Sequence, residues 1–133
     1  MTNQKLTKMS HFKKNESGYH ESAKNILAGW VNGITEQPFT IDGSFVFVPD
    51  ITVYKDRVLN CIYEVVYSHP LSAKKYGLIQ YWCYMNRIDL TVFEVSVDWI
   101  LKQTEKPFRI EVMECYTVSL LEYEDELLIK AIS

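Results

Sequence analysis

Glu64 is the residue that stands apart in this chain. Its neighbours Cys61, Ile62, Tyr63, Val65, Val66 and Tyr67 are all apolar or aromatic. A carboxylate inside a buried run is costly unless a cation or a set of donors satisfies it. Asp50 stands 14 positions earlier, directly after Pro49, with the polar turn Lys55-Asp56-Arg57 between them. A hairpin folded at that turn would bring both carboxylates to one end. Two hard oxygen donors suit Mg²⁺ or Mn²⁺, which keep several waters and accept a substrate phosphate. Such an ion activates water and neutralises charge developing on the phosphate. The same two acids also have a purely structural explanation, in which Asp50 caps a turn and Glu64 pairs with a lysine from a neighbouring helix.

The elements that must position these acids follow from periodicity. Tyr19, Ala23, Ile26, Leu27, Trp30 and Val31 fall at helical spacing, with Ser17 as a cap and Asn32-Gly33 as a stop. Phe39 to Ile41 and Phe45 to Val48 flank the turn Asp42-Gly43-Ser44 and predict a hairpin. Asp50 to Tyr54 predicts a strand, and Val58 to Tyr67 a central strand covered on both faces. A helix is expected from Ser72 to Asn86, a strand from Ile88 to Val95 and a short helix from Val97 to Gln103. Phe108 to Val118 reads as a strand, and Leu120 to Ile132 as an acidic amphipathic end. This order predicts an α/β fold, a mixed sheet with helices on both faces, and a parallel crossover from Val58 to Val95. Residues 1–15 read as a polar, partly flexible segment and 16–133 as one domain.

The chain has 133 residues, 47% of them hydrophobic and 23% charged, which fits one globular domain and excludes an extensively disordered chain. A net charge of −3 argues against coating nucleic acid non-specifically. The ends differ: residues 1–24 hold five lysines against two glutamates, and residues 111–133 hold six acids against Lys130. Cys61, Cys83 and Cys115 are far apart and form no CxxC pair, so they read as buried free thiols in a reducing compartment. Apolar runs too short for a bilayer and a start without the apolar core of a signal peptide predict no membrane partner. The expected location is cytoplasmic, or the host cytoplasm for a viral protein.

Phe47-Val48-Pro49-Asp50-Ile51, followed by Ile62-Tyr63-Glu64-Val65-Val66-Tyr67-Ser68-His69, resembles the core of the PD-(D/E)XK, or restriction-endonuclease-like, superfamily. His11-Phe12, Glu16-Ser17, His20 and Lys24 ahead of an apolar helix resemble the leading segment of competence protein CoiA-like nucleases. The resemblance implies a restriction-endonuclease-like core and a metal-dependent nuclease acting on DNA. It implies Asp50 and Glu64 as ligands of Mg²⁺ or Mn²⁺, with the Val65 carbonyl and Glu16 as further donors and His20 and Lys24 as catalytic assistants. One position departs from the pattern. The superfamily usually has a lysine two residues after the second acid, and Val66 stands there. Lys24 and His69 are the candidates to replace it.

His69, Lys74 and Lys75 are candidate nucleic-acid contacts, the lysines at a helix start where a cation meets phosphate. Tyr81 and Trp82 read as core or dimer interface. Nucleic acid is the expected partner, DNA before RNA, and a homodimer is expected because so small a domain offers limited surface to a duplex. The alternative, motivated by Val66, is an inactive nuclease-fold protein that binds nucleic acid or a protein partner.

Overall fold

The computed structural model describes residues 14–67, 71–120 and 128–131. Its first helix, α1 (Lys14–Val31), starts earlier than the expected Tyr19, so Ser17 lies inside it rather than capping it. The residues from Lys14 to Ser17 include no proline or glycine to break the helix. The stop is where the sequence places it. Asn32 adopts a left-handed conformation (φ 56°), and the Gly33 N–H returns to the Ala28 carbonyl at 2.9 Å. Gly33 is required by close approach, since a Cβ there would lie 2.3 Å from Ile51 Cγ2.

The strands are β1 (Ile34–Thr35), β2 (Phe39–Ile41), β3 (Ser44–Phe47), β4 (Ile51–Lys55) and β5 (Val58–Val66). Then follow α2 (Ala73–Asn86), β6 (Leu90–Ser96), α3 (Val97–Lys102) and β7 (Glu114–Val118). Five strands form one mixed sheet in the order β1-β4-β5-β6-β7. The β5–β6 pair is parallel and the other three pairs are antiparallel. The β2–β3 hairpin forms its own two-stranded sheet.

Each face of the main sheet has its own core. Ile62 and Val92 pack with Ile79 and Cys83 of α2 and with Phe39 and Phe47 of the small hairpin. Val65 and Val95 point the other way, onto Ala23 and Leu27 of α1 and Ile100 of α3. The continuous apolar character of β5 thus reflects burial on two sides. Trp82 packs its ring against Phe39 and Phe47 and donates its indole N–H to the Thr40 carbonyl, while Tyr81 is exposed.

Three expectations need correction. The strand expected from Phe108 forms only at Glu114, because its partner β6 gives way to α3 at Val97 and has no ladder to offer earlier residues. Ile88 is not in a strand, since its N–H closes the end of α2 on the Cys83 carbonyl beside left-handed Arg87. Cys61 and Cys83 are buried, but Cys115 is exposed. Most of the expected acidic end lies outside the described residues. Among the described residues no helix is long and apolar enough to cross a membrane.

Candidate active site at the open end of the central hairpin

The β4–β5 hairpin turns at Asp56 and Arg57, both with positive φ (53° and 68°), as the turn types that match strand twist require. Its register pairs Ile51 with Tyr63, so Asp50, one residue before the ladder, stands opposite Glu64. The Asp50 N–H donates to Glu64 Oε2 at 3.0 Å, and the Val65 N–H donates to Asp50 Oδ2 at 2.8 Å. The two acids are therefore locked together through backbone at the open end of the hairpin.

Two helices add cations. From α1, His20 Nε2 lies 3.0 Å from the Val65 carbonyl and 3.2 Å from Asp50 Oδ2, so an Nε2–H proton serves both acceptors. From the first turn of α2, Lys75 Nζ donates to Glu64 Oε1 at 2.7 Å. Ser72 fixes that turn by accepting the Lys75 N–H. The lysine pairing anticipated as the structural explanation of Glu64 is thus present, and it occurs within the same cluster as Asp50 and His20.

Electrostatics set the acids apart. Burial pushes the Glu64 carboxyl up to about 7, and the negative charge of Asp50 adds to the rise against the pull of Lys75. Burial also acts on Asp50, but the His20 hydrogen bond and charge, with the Val65 N–H, outweigh it and hold that carboxyl below its usual value. The Asp50 hydrogen bond in turn raises His20 against its own burial.

The other expected residues divide. Lys24 is buried on the same helix as His20, but its ammonium pairs with Glu21 and Glu36 rather than with either site acid. Glu16 lies near the start of α1 and His69 follows β5; the Glu16 side chain and all of His69 are outside the described residues. Lys74 is exposed. The Val65 carbonyl is already engaged by His20. Val66 is buried, so its position carries no cation. Lys75 was expected only as a phosphate contact, and its place on Glu64 could have been read from a short β5–α2 connection ending in a Ser72 cap. Such a connection sets the first turn of α2 over the carboxyl end of β5, the end at which open α/β sheets bind ligands.

Glu94 is the functional candidate the sequence reading missed. It is Glu64's partner in the parallel ladder, and Glu114 is its own partner on β7, so three glutamates form one row across the sheet. The in-register spacing could not be read before the pairing was known.

Among the described residues no group of three or more His, Cys, Asp or Glu side chains forms a metal-holding cluster. The pair Asp50 and Glu64 nonetheless fits a divalent ion that keeps most of its water. Asp50 Oδ1 makes no hydrogen bond to a described residue, and Glu64 resists ionising beside Asp50 even with Lys75 in contact. No family model, curated protein or solved structure matches the chain at a significant level.

Proposed function

We propose that the protein is a metal-dependent nuclease with a restriction-endonuclease-like core, hydrolysing phosphodiester bonds in DNA. The observation that carries this reading is the convergence at one end of the sheet of His20 from α1, Glu64 from β5, Lys75 from α2 and Asp50 from the residue just ahead of β4. A structural ion pair explains Lys75 and Glu64, but it gives no reason to lock a second acid against them. Clustered acids whose proton affinities are pushed apart are a mark of sites that do chemistry.

Asp50 and Glu64 would hold the Mg²⁺ or Mn²⁺, which supplies an activated water and a counter-charge for the phosphate. Lys75 takes the place that Val66 leaves without a cation. A phosphate arriving at Glu64 competes for the Lys75 ammonium, which then neutralises phosphate charge and orients the attack. His20 holds the Asp50 carboxylate ionised and fixed against β5. Mg²⁺- or Mn²⁺-dependent cutting of DNA that disappears in Asp50→Ala is the test, and equal cutting by that variant would refute the reading.

A second reading has its own support. Glu64 has both oxygens occupied, by Lys75 and by the Asp50 N–H, as in a closed structural network. On that reading the protein binds nucleic acid or a protein partner without turnover, and nucleic-acid affinity would fall steeply with salt.

A further inference from the structure

Beside the proposed active site, the space between the start of α2 and strand β7 is a cavity of about 650 Å³. Its walls include Leu71, Ala73, Tyr76, Glu94, Glu114 and Tyr116. Glu94 is 2% exposed, and its two oxygens are unequal. Oε2 accepts the Tyr116 hydroxyl at 2.7 Å and the Leu71 N–H at 3.4 Å, whereas Oε1 is buried and accepts from none of the described residues. A buried acceptor left without a donor is unfavourable, and a ligand that brings an N–H relieves it.

The chemistry of the walls selects that ligand. Among the described residues that line the cavity there are two carboxylates and no lysine, arginine or histidine, so this lining favours hydrogen-bond donors. Tyr76 and Tyr116, with ring centroids 6.0 Å apart, supply aromatic surface for a planar group. Glu94 is the ladder neighbour of Glu64, so the cavity adjoins the phosphate chemistry at a distance of about one strand spacing, roughly 5 Å.

We propose that this cavity receives a nucleobase bearing an exocyclic amino group, read by Glu94, next to the phosphate held at Glu64 and Lys75. The proposal rests on the nuclease reading for its choice of ligand. Cytosine, adenine and guanine present an amino group to a carboxylate. Thymine and uracil present one ring N–H between two carbonyls, which a carboxylate repels.

Binding of single-stranded oligo(dC), oligo(dA) and oligo(dT) in EDTA tests it, with cleavage of mixed-sequence DNA in Mn²⁺ measured alongside. The parent is expected to bind oligo(dC) and oligo(dA) about tenfold more tightly than oligo(dT). Glu94→Gln, which retains an acceptor for Tyr116 but offers an amide in place of the second oxygen, is expected to erase that preference. Ala73→Phe, which fills the cavity from the helix side, is expected to do the same without touching the sheet. Equal binding of all three by the parent, or an unchanged preference in both folded variants, overturns the proposal. So does failure to bind any of them in EDTA. Cutting without base preference leaves the nuclease reading standing and removes only the base site. Base preference without cutting supports the base site and removes the nuclease.

Discussion

Lys75 Nζ sits 2.7 Å from Glu64 Oε1, although one belongs to a helix and the other to the central strand. Their contact turns Glu64 from an uncompensated buried charge into one member of a four-residue cluster. It also offers a cation where the Val66 position has none. The consequences can be measured one at a time.

Lys75→Met removes the only ammonium bonded to Glu64 among the described residues. The Glu64 carboxyl is then expected to rise above about 7, its value with the lysine present. Breaking a buried pair costs about 3–5 kcal/mol, and the partial exposure of the lysine reduces that to about 1–3 kcal/mol. Urea unfolding of parent and variant at pH 8 measures the difference.

Stability without divalent ions should fall as pH rises from about 4.5 to 7. Glu64 has a raised folded value, so the native state holds a proton there that the unfolded chain has already released. The loss across that window is up to about 3 kcal/mol. His20, also raised, adds a loss as pH climbs from 6.5 through its folded value. Asp50 acts oppositely, its contribution being lost only as pH falls below 3.8 through its folded value. Thermal unfolding in EDTA against pH tests this, and Glu64→Gln should flatten the decline between pH 4.5 and 7.

His20 should titrate above 6.5 in the folded parent and move down in Asp50→Asn, because the Asp50 hydrogen bond is the largest influence raising it. Imidazole NMR signals followed through the titration read this directly. His20→Ala, which leaves the Val65 carbonyl and Asp50 without that donor, is expected to cost about 1–2 kcal/mol.

Mn²⁺ should raise the unfolding temperature of the parent by binding the native state alone. Asp50→Asn and Glu64→Gln are expected to abolish the rise. A rise of equal size in both variants would move the ion elsewhere.

Much of this arrangement was legible in the sequence because local signals agreed with the fold. The Asp42-Gly43 turn, the Ser72 cap and the Asn32-Gly33 stop all do what their residue types favour, whereas Arg57 takes a left-handed conformation (φ 68°) that its side chain does not favour. The fourteen-residue spacing of Asp50 and Glu64 let a hairpin bring them to one end, but it is a register shift between Val53 and Tyr54 that sets Asp50 opposite Glu64 rather than Tyr63, and that shift left no mark in the spacing. Lys75 was given only a phosphate contact, although the Ser72 cap soon after β5 pointed to its place over Glu64, and Glu94 was not placed, since its position depends on how the β5–α2–β6 crossover sets strand beside strand. Such long-range pairing leaves no periodic trace. Strand β1, only two residues long, had too few positions to show alternation. The early strand expected at Phe108 failed for a related reason: a β-forming run needs a partner, and Val97 had already turned β6 into α3.

The central claim is that Asp50, Glu64 and Lys75 form a site for phosphodiester hydrolysis. Its most direct test is the rate at which the parent, Glu64→Gln and Lys75→Met cut single-stranded and supercoiled DNA in Mn²⁺, with folding verified by circular dichroism. Metal-dependent cutting by the parent and a loss of about a hundredfold or more in each variant are expected. A folded parent that cuts nothing across metals and substrates would contradict the claim, as would variants that cut as fast as the parent.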